Sequence, residues 1–312
     1  MTERLITHLR HVDLAVPDYG SQRDFYLDLW GLTEVAKDGD LSYLAAEGST
    51  EPFVVRLRQS DDKRIDLIGI GATDRASVDQ LAAQLGSAGV RLISEPDDLS
   101  TCGAGYGFRF FDGDGRTLEV SCDVERREPR EIEPLESIPV SLSHIVINSP
   151  DPEGTVAWYM QHLGVAISDQ LTMPGMGDLM WFLRCNAWHH TFAVVRGPHA
   201  SLHHLSFEMR GVEENLFGTG RLLRAGIERI WGPGKHLAGN NMFNYFLDPS
   251  GNTMEYTTAL ETIDEATWEA HKYSIAEPMV ADQWGTANPM GPEIAQKSFN
   301  DPDRGLFVAP PV

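Results

Sequence analysis

Apolar and polar residues alternate with a period of two in "LRHVDLAV" (Leu9–Val16) and again in "LSHIVIN" (Leu142–Asn148). That is the spacing of strands with one face buried. Each is followed by a stretch with helical spacing, "GSQRDFYLDLW" and "PEGTVAWYMQHL", and then by further alternating stretches broken by turn residues. "DPSGN" (Asp248–Asn252) is a turn by composition, with Pro fixing φ and Gly supplying the left-handed position, and it feeds the strand "TMEYT". Each half of the chain therefore reads as two strand–helix–three-strand units, giving four βαβββ-like units and an α+β fold class.

The halves repeat each other. "RHVDLAVPD" from Arg10 aligns with "SHIVINSPD" from Ser143, placing His11 on His144, and "FYLDLWGL" from Phe25 aligns with "WYMQHLGV" from Trp158. "LGSAGVRLI" with Gly89 parallels "LLRAGIERI" with Gly226, and "FRFFDGDGRTLEV" from Phe108 parallels "NYFLDPSGNTMEY" from Asn244. The offsets are 133, 133, 137 and 136 residues, so only short insertions separate two copies of one domain. The charged, proline-bearing stretch Glu125–Pro139 has neither period and reads as the linker. The expected organisation is an N-terminal domain over 1–130, a C-terminal domain over 131–260 and a tail over 261–312. In the tail "TIDEATWEAHKY" (Thr262–Tyr273) reads as a helix, followed by an irregular end.

A length of 312 residues suits two such domains, and 42% hydrophobic with 23% charged residues is the composition of a globular chain. The formal charge of −21 disfavours nucleic acid and anionic membrane surfaces as partners. No apolar run is long enough to span a bilayer, and the N-terminal residues do not read as a signal peptide, so a cytoplasmic location is expected. Cys102, Cys122 and Cys185 are an odd count without C-x-x-C spacing and are expected as free thiols.

The chemistry concentrates in the second half. In "HHLSFEM" two histidines head the opening strand of the fourth unit, while His144 stands in the opening strand of the third and Glu255 in the closing strand of the fourth. A carboxylate inside a half-buried strand is costly unless it is paired or binds a metal. Two imidazoles and one carboxylate can occupy one face of an octahedron and leave neighbouring positions free. The first half keeps His11 and Glu119, but the strand matching His204 reads "RIDLIGIG" and offers only Asp66 or Leu67 there. A metal site in the second half alone is the expectation, with the first half as scaffold.

Together "LSHIVINSPD", "WHHTFAVV", "LHHLSFEM", "GPGKHLAGNN" and "NYFLDPSGNTMEYT" resemble the two-domain type I extradiol ring-cleavage dioxygenases of the vicinal oxygen chelate superfamily over nearly the full length. The resemblance implies four βαβββ modules in two barrel-like domains and a mononuclear Fe(II), with Mn(II) as the alternative, held by His144, His204 and Glu255. It selects His204 over His203, which then faces away because strand residues alternate. It also implies His190, rather than His189, as the catalytic group toward oxygen, with His236 and Tyr245 hydrogen-bonding the substrate and Val146 and Phe182 as pocket walls. The implied partners are a small aromatic diol and O2, and the implied assembly a homo-oligomer. A para-diol cleaving enzyme, a glyoxalase or epimerase with a fourth ligand, and a non-catalytic binding module are the competing readings. Met173, Met176 and Met180 receive no catalytic role.

Overall fold

The computed structural model describes residues 4–311. The first half contains β1 (Ile6–Val16), β2 (Thr33–Asp38), β3 (Leu41–Ala45), β4 (Val55–Gln59), β5 (Arg64–Ala72), β6 (Asp97–Asp98), β7 (Tyr106–Phe111) and β8 (Thr117–Cys122). The second half contains β9 (Pro139–Ser149), β10 (Ala166–Met173), β11 (Gly177–Arg184), β12 (Phe192–Arg196), β13 (Ser201–Met209), β14 (Arg229–Lys235), β15 (Met242–Leu247) and β16 (Thr253–Thr258). Helices α1 (Tyr19–Asp24, continued as a π-helix over Phe25–Trp30), α2 (Arg75–Ser87), α3 (Pro152–Leu163) and α4 (Val212–Arg224) each follow the opening strand of a unit. The four βαβββ units expected from the alternation are therefore all present.

Each half forms one mixed sheet with a common plan, in the orders β2-β3-β4-β1-β5-β8-β7-β6 and β14-β15-β16-β13-β9-β12-β11-β10, the latter extended at its edge by β17 (His271–Ser274). In every unit the opening strand pairs in parallel with the closing strand, and the opening strands of the two units in a half pair antiparallel. The repeated Pro-Asp has a local cause: Asp18 and Asp151 cap α1 and α3, accepting from the backbone N–H of Ser21 and Gly154. The expected turn also forms, with Gly251 at φ +77° and the Asp248 carboxylate accepting from the Asn252 N–H at 2.8 Å.

The halves interlock through buried groups. Trp30, fully buried at the end of the π-helix, stacks on Tyr256 with ring centroids 3.9 Å apart and meets Phe207 and Phe246 edge-on. Its carbonyl accepts from the Tyr256 hydroxyl at 2.6 Å, and Gln22 donates to Asp248 at 2.6 Å. The first half thus braces the backs of β13 and β16.

The tail departs from expectation. Thr262–Tyr273 is not a helix; it runs through a turn into β17, parallel to β10. Tertiary partners outcompete a twelve-residue helix that is marginal alone. Glu265 pairs with Arg184 at 2.8 Å, Trp268 Nε1 donates to the Ser168 carbonyl at 2.9 Å, and the His271 N–H donates to Asp169 at 2.8 Å. Two short helices follow, α5 (Pro278–Ala281) and α6 (Pro292–Phe299). No helix among the described residues is long and apolar enough to cross a membrane.

Candidate metal centre

Three neighbouring strands carry His144 (β9), His204 (β13) and Glu255 (β16). Ser206, two residues past His204, is the register partner of both His144 and Glu255, so strand pairing alone brings the three side chains to one spot. His144 Nε2 lies 3.1 Å and His204 Nε2 3.4 Å from Glu255 Oε2, and the two nitrogens are 3.4 Å apart. Among the described residues this is the one group of three or more His, Cys, Asp or Glu donors that converges within 4.8 Å. All three are buried, Glu255 completely.

The donor chemistry fits a divalent first-row cation. Neither oxygen of Glu255 has a hydrogen-bond donor, although an orphaned buried carboxylate is costly; the two imidazole nitrogens lie close to it without donor geometry. The outer nitrogens are engaged: His144 Nδ1 with the Ser143 hydroxyl at 3.1 Å and His204 Nδ1 with His203 Nδ1 at 2.7 Å. With its proton on Nδ1, each ring presents a bare Nε2 to the centre. His203 therefore does not face away. A register shift in the β9–β13 ladder between Leu202 and His204 breaks the alternation and folds its ring against His204.

The other candidates surround these donors. The His190 ring lies 4.2 Å from the His144 ring and 4.9 Å from Phe182, and burial, then the His144 and His189 rings, push its imidazole well below its ordinary value. His236 Nδ1 donates to the Ala281 carbonyl at 3.0 Å, so its Nε2 accepts from the Tyr245 hydroxyl at 3.0 Å. Burial lowers His236 to about 4, and burial with the Glu255 charge lifts Tyr245 well above its usual value. At neutral pH the pair is an uncharged imidazole and an uncharged phenol. Val146 and Phe182 join Ala193, Val195 and Ala238 in a small apolar cluster beside the donors. The tail holds the rim: Gln283 N–H donates to the Lys235 carbonyl at 2.6 Å, and Glu261 links the His236 and His189 loops through Gly239 and the His189 N–H.

Sequence reasoning missed the support around His190. His189, set aside in favour of its neighbour, lies between His190 and the buried Asp169. The signal was a carboxylate in the strand "AISDQLTM", the kind of burial that also singled out Glu255.

The first half shows the same positions with the second histidine missing. Asp13 pairs with Leu67 as Val146 pairs with His204, so Leu67, not Asp66, occupies the place of the second histidine. By the same registers Phe53 stands where His190 would be and Arg109 where Tyr245 would be. Glu119 is satisfied by Arg109 at 2.8 Å, and His11 Nδ1 by Asp13 at 2.8 Å.

Comparison with known proteins agrees with this architecture. The family model described as Glyoxalase/Bleomycin resistance protein/Dioxygenase superfamily matches residues 8–120 and 141–256. Metapyrocatechase 2 of Cupriavidus necator is 26% identical over 298 residues, 88% of each chain. The biphenyl-2,3-diol 1,2-dioxygenase of Metapseudomonas furukawaii is 25% identical over 84% of this chain and 89% of its own. A crystal structure described as the Mn(II)-bound glyoxalase from Novosphingobium aromaticivorans superposes with a TM-score of 0.90 at 40% identity, covering 98% of both chains.

Proposed function

We infer that this chain, which belongs to the Glyoxalase/Bleomycin resistance protein/Dioxygenase superfamily through both of its halves, is a metal-dependent extradiol dioxygenase that opens a catechol-like diol with O2. The observation that carries the reading is the three-donor set His144, His204 and Glu255, with His190, His236 and Tyr245 gathered around it. Fe(II) is the metal we propose, and the same two imidazoles and one carboxylate suit Mn(II). A metal held by these three residues would supply a Lewis acid and a path for electrons from the diol to O2.

The remaining work belongs to side chains. The Tyr245 hydroxyl, having given its proton to the His236 hydrogen bond, keeps acceptor capacity for a substrate hydroxyl and so orients the diol. His190 is the group that holds and moves a proton beside the donors, and as a neutral imidazole it can take one up and return it. Val146, Phe182 and Ala193 keep water away from the ring.

The glyoxalase reading has one observation in its favour, the description of the 40% identical neighbour. In favour of the dioxygenase stand the groups around the donors, with His190 against His144 and the hydrogen-bonded His236–Tyr245 pair beside His204. Oxygen uptake by anaerobically Fe(II)-loaded protein, run against a panel of catechols and para-diols, separates the readings. Uptake with a catechol supports ring cleavage, and uptake only with a para-diol moves the substrate to the hydroquinone class. Turnover of a methylglyoxal–glutathione adduct without uptake supports the glyoxalase.

A further inference from the structure

We infer that Asp169 and His189 are positioning residues that fix the tautomer of His190, delivering it with Nδ1 protonated and Nε2 bare. The kinetic consequence rests on the dioxygenase reading, whereas the proton placement does not.

Asp169 Oδ2 lies 2.9 Å from His189 Nε2, and His189 Nδ1 lies 2.9 Å from His190 Nδ1. Asp169 and both histidines are buried, with His189 at 0% exposure, so water does not compete for these bonds. An ionised carboxylate only accepts, which places the His189 proton on Nε2. A neutral His189 then has a lone pair on Nδ1, and the bond to His190 exists only if His190 donates from its own Nδ1. One proton remains for the neutral His190 ring, and it is spent there. Its Nε2 is therefore an acceptor, ready to take a proton next to the donors.

The tail locks the start of this chain. Asp169 Oδ1 accepts from the His271 backbone N–H at 2.8 Å, and the Trp268 ring meets His189 edge-on at 5.8 Å. Because Oδ1 is held by a backbone N–H, the other oxygen must face His189. This gives Asp169→Asn a defined outcome. The amide oxygen stays with His271 N–H, the amide NH2 falls opposite His189 Nε2, and every proton in the chain reverses, ending with N–H on His190 Nε2. A wrong tautomer of this kind disables a general base without moving it.

The test uses full-length protein loaded with Zn(II), a diamagnetic probe, and 15N-histidine NMR with His190 assigned from a His190→Gln spectrum. The expected result is a protonated Nδ1 on His190 in the parent and a protonated Nε2 in Asp169→Asn. A parent protonated on Nε2, or a tautomer unchanged in Asp169→Asn, overturns the inference whether or not the protein cleaves diols. In the Fe(II)-loaded enzyme His189→Phe, which leaves His190 Nδ1 without an acceptor, should lower kcat about 10- to 100-fold at unchanged metal content and KM. His189→Asn, with an amide oxygen near the place of Nδ1, should recover most of it. Equal kcat in the Phe and Asn variants at full metal content refutes the positioning role. If His189→Phe does not fold, Asp169→Asn, an isostere, carries the same kinetic test.

Discussion

Glu208, two residues beyond Ser206 on β13, offers a measurement of what burying charge on the strand of His204 costs. Burial lifts its carboxyl to about 7, and the Ala259 N–H that donates to Oε1 at 3.1 Å only partly offsets this. The sign follows from linkage: a carboxyl raised in the folded state binds protons more tightly there than in the unfolded chain, so folding is penalised as pH rises. The penalty begins near the unfolded value of about 4.5 and saturates above about 7. At about 1.4 kcal/mol per unit the full span is roughly 3 kcal/mol, and the partial exposure of Glu208 reduces it to about 2. Glu208→Gln keeps an acceptor for Ala259 N–H without the charge. Urea unfolding of both proteins in EDTA should show Gln more stable by about 2 kcal/mol at pH 8 and by less than about 0.5 at pH 4.5. An advantage that does not change with pH, or a Gln variant less stable at pH 8, would refute the reasoning.

His204→Ala removes one of three donors and should abolish tight metal binding as well as turnover. His190→Gln should keep the metal by elemental analysis and lose about 100-fold or more in kcat; the opposite pattern reverses the two roles. Trp30→Ala, which empties a fully buried aromatic site behind β13 and β16, should cost roughly 3–5 kcal/mol in denaturant unfolding, and a loss below about 1 contradicts the bracing role. Arg109→Ala leaves Glu119 buried beside His11 without its guanidinium and should cost roughly 3 kcal/mol at unchanged kcat. A kcat change at full metal content would mean that the first half takes part in the chemistry.

The sequence carried the parts of this structure that local pattern and duplication determine. Alternation with intervening helical spacing marked the four units, and the repeated Pro-Asp marks two helix starts because its carboxylate is their cap. His144, Glu255 and the His203–His204 pair stood out because a carboxylate in a half-buried strand is costly and the other copy lacks the second histidine, while the choice of His204 came from the family resemblance. What was hidden depends on register and on distant segments. Asp66 and Leu67 are adjacent in sequence, and only the pairing of β1 with β5 decides that Leu67, opposite Asp13, takes the place of the second histidine. The bulge that turns His203 toward His204 leaves no compositional mark. The Thr262–Tyr273 segment has helical spacing, but its hydrogen bonds go to Ser168 and Asp169, about a hundred residues away. The same long-range pairing concealed the support of His190, since Asp169 and His189 meet only once β10 is in place.

The most direct test of the account is isotopic. The Fe(II)-loaded protein is given a catechol under 18O2, and the ring-opened product is weighed by mass spectrometry. The account predicts two labelled oxygens in a product formed with one O2 consumed per diol. A product with no label, or a metal-loaded protein that binds the diol and consumes no oxygen, would contradict it.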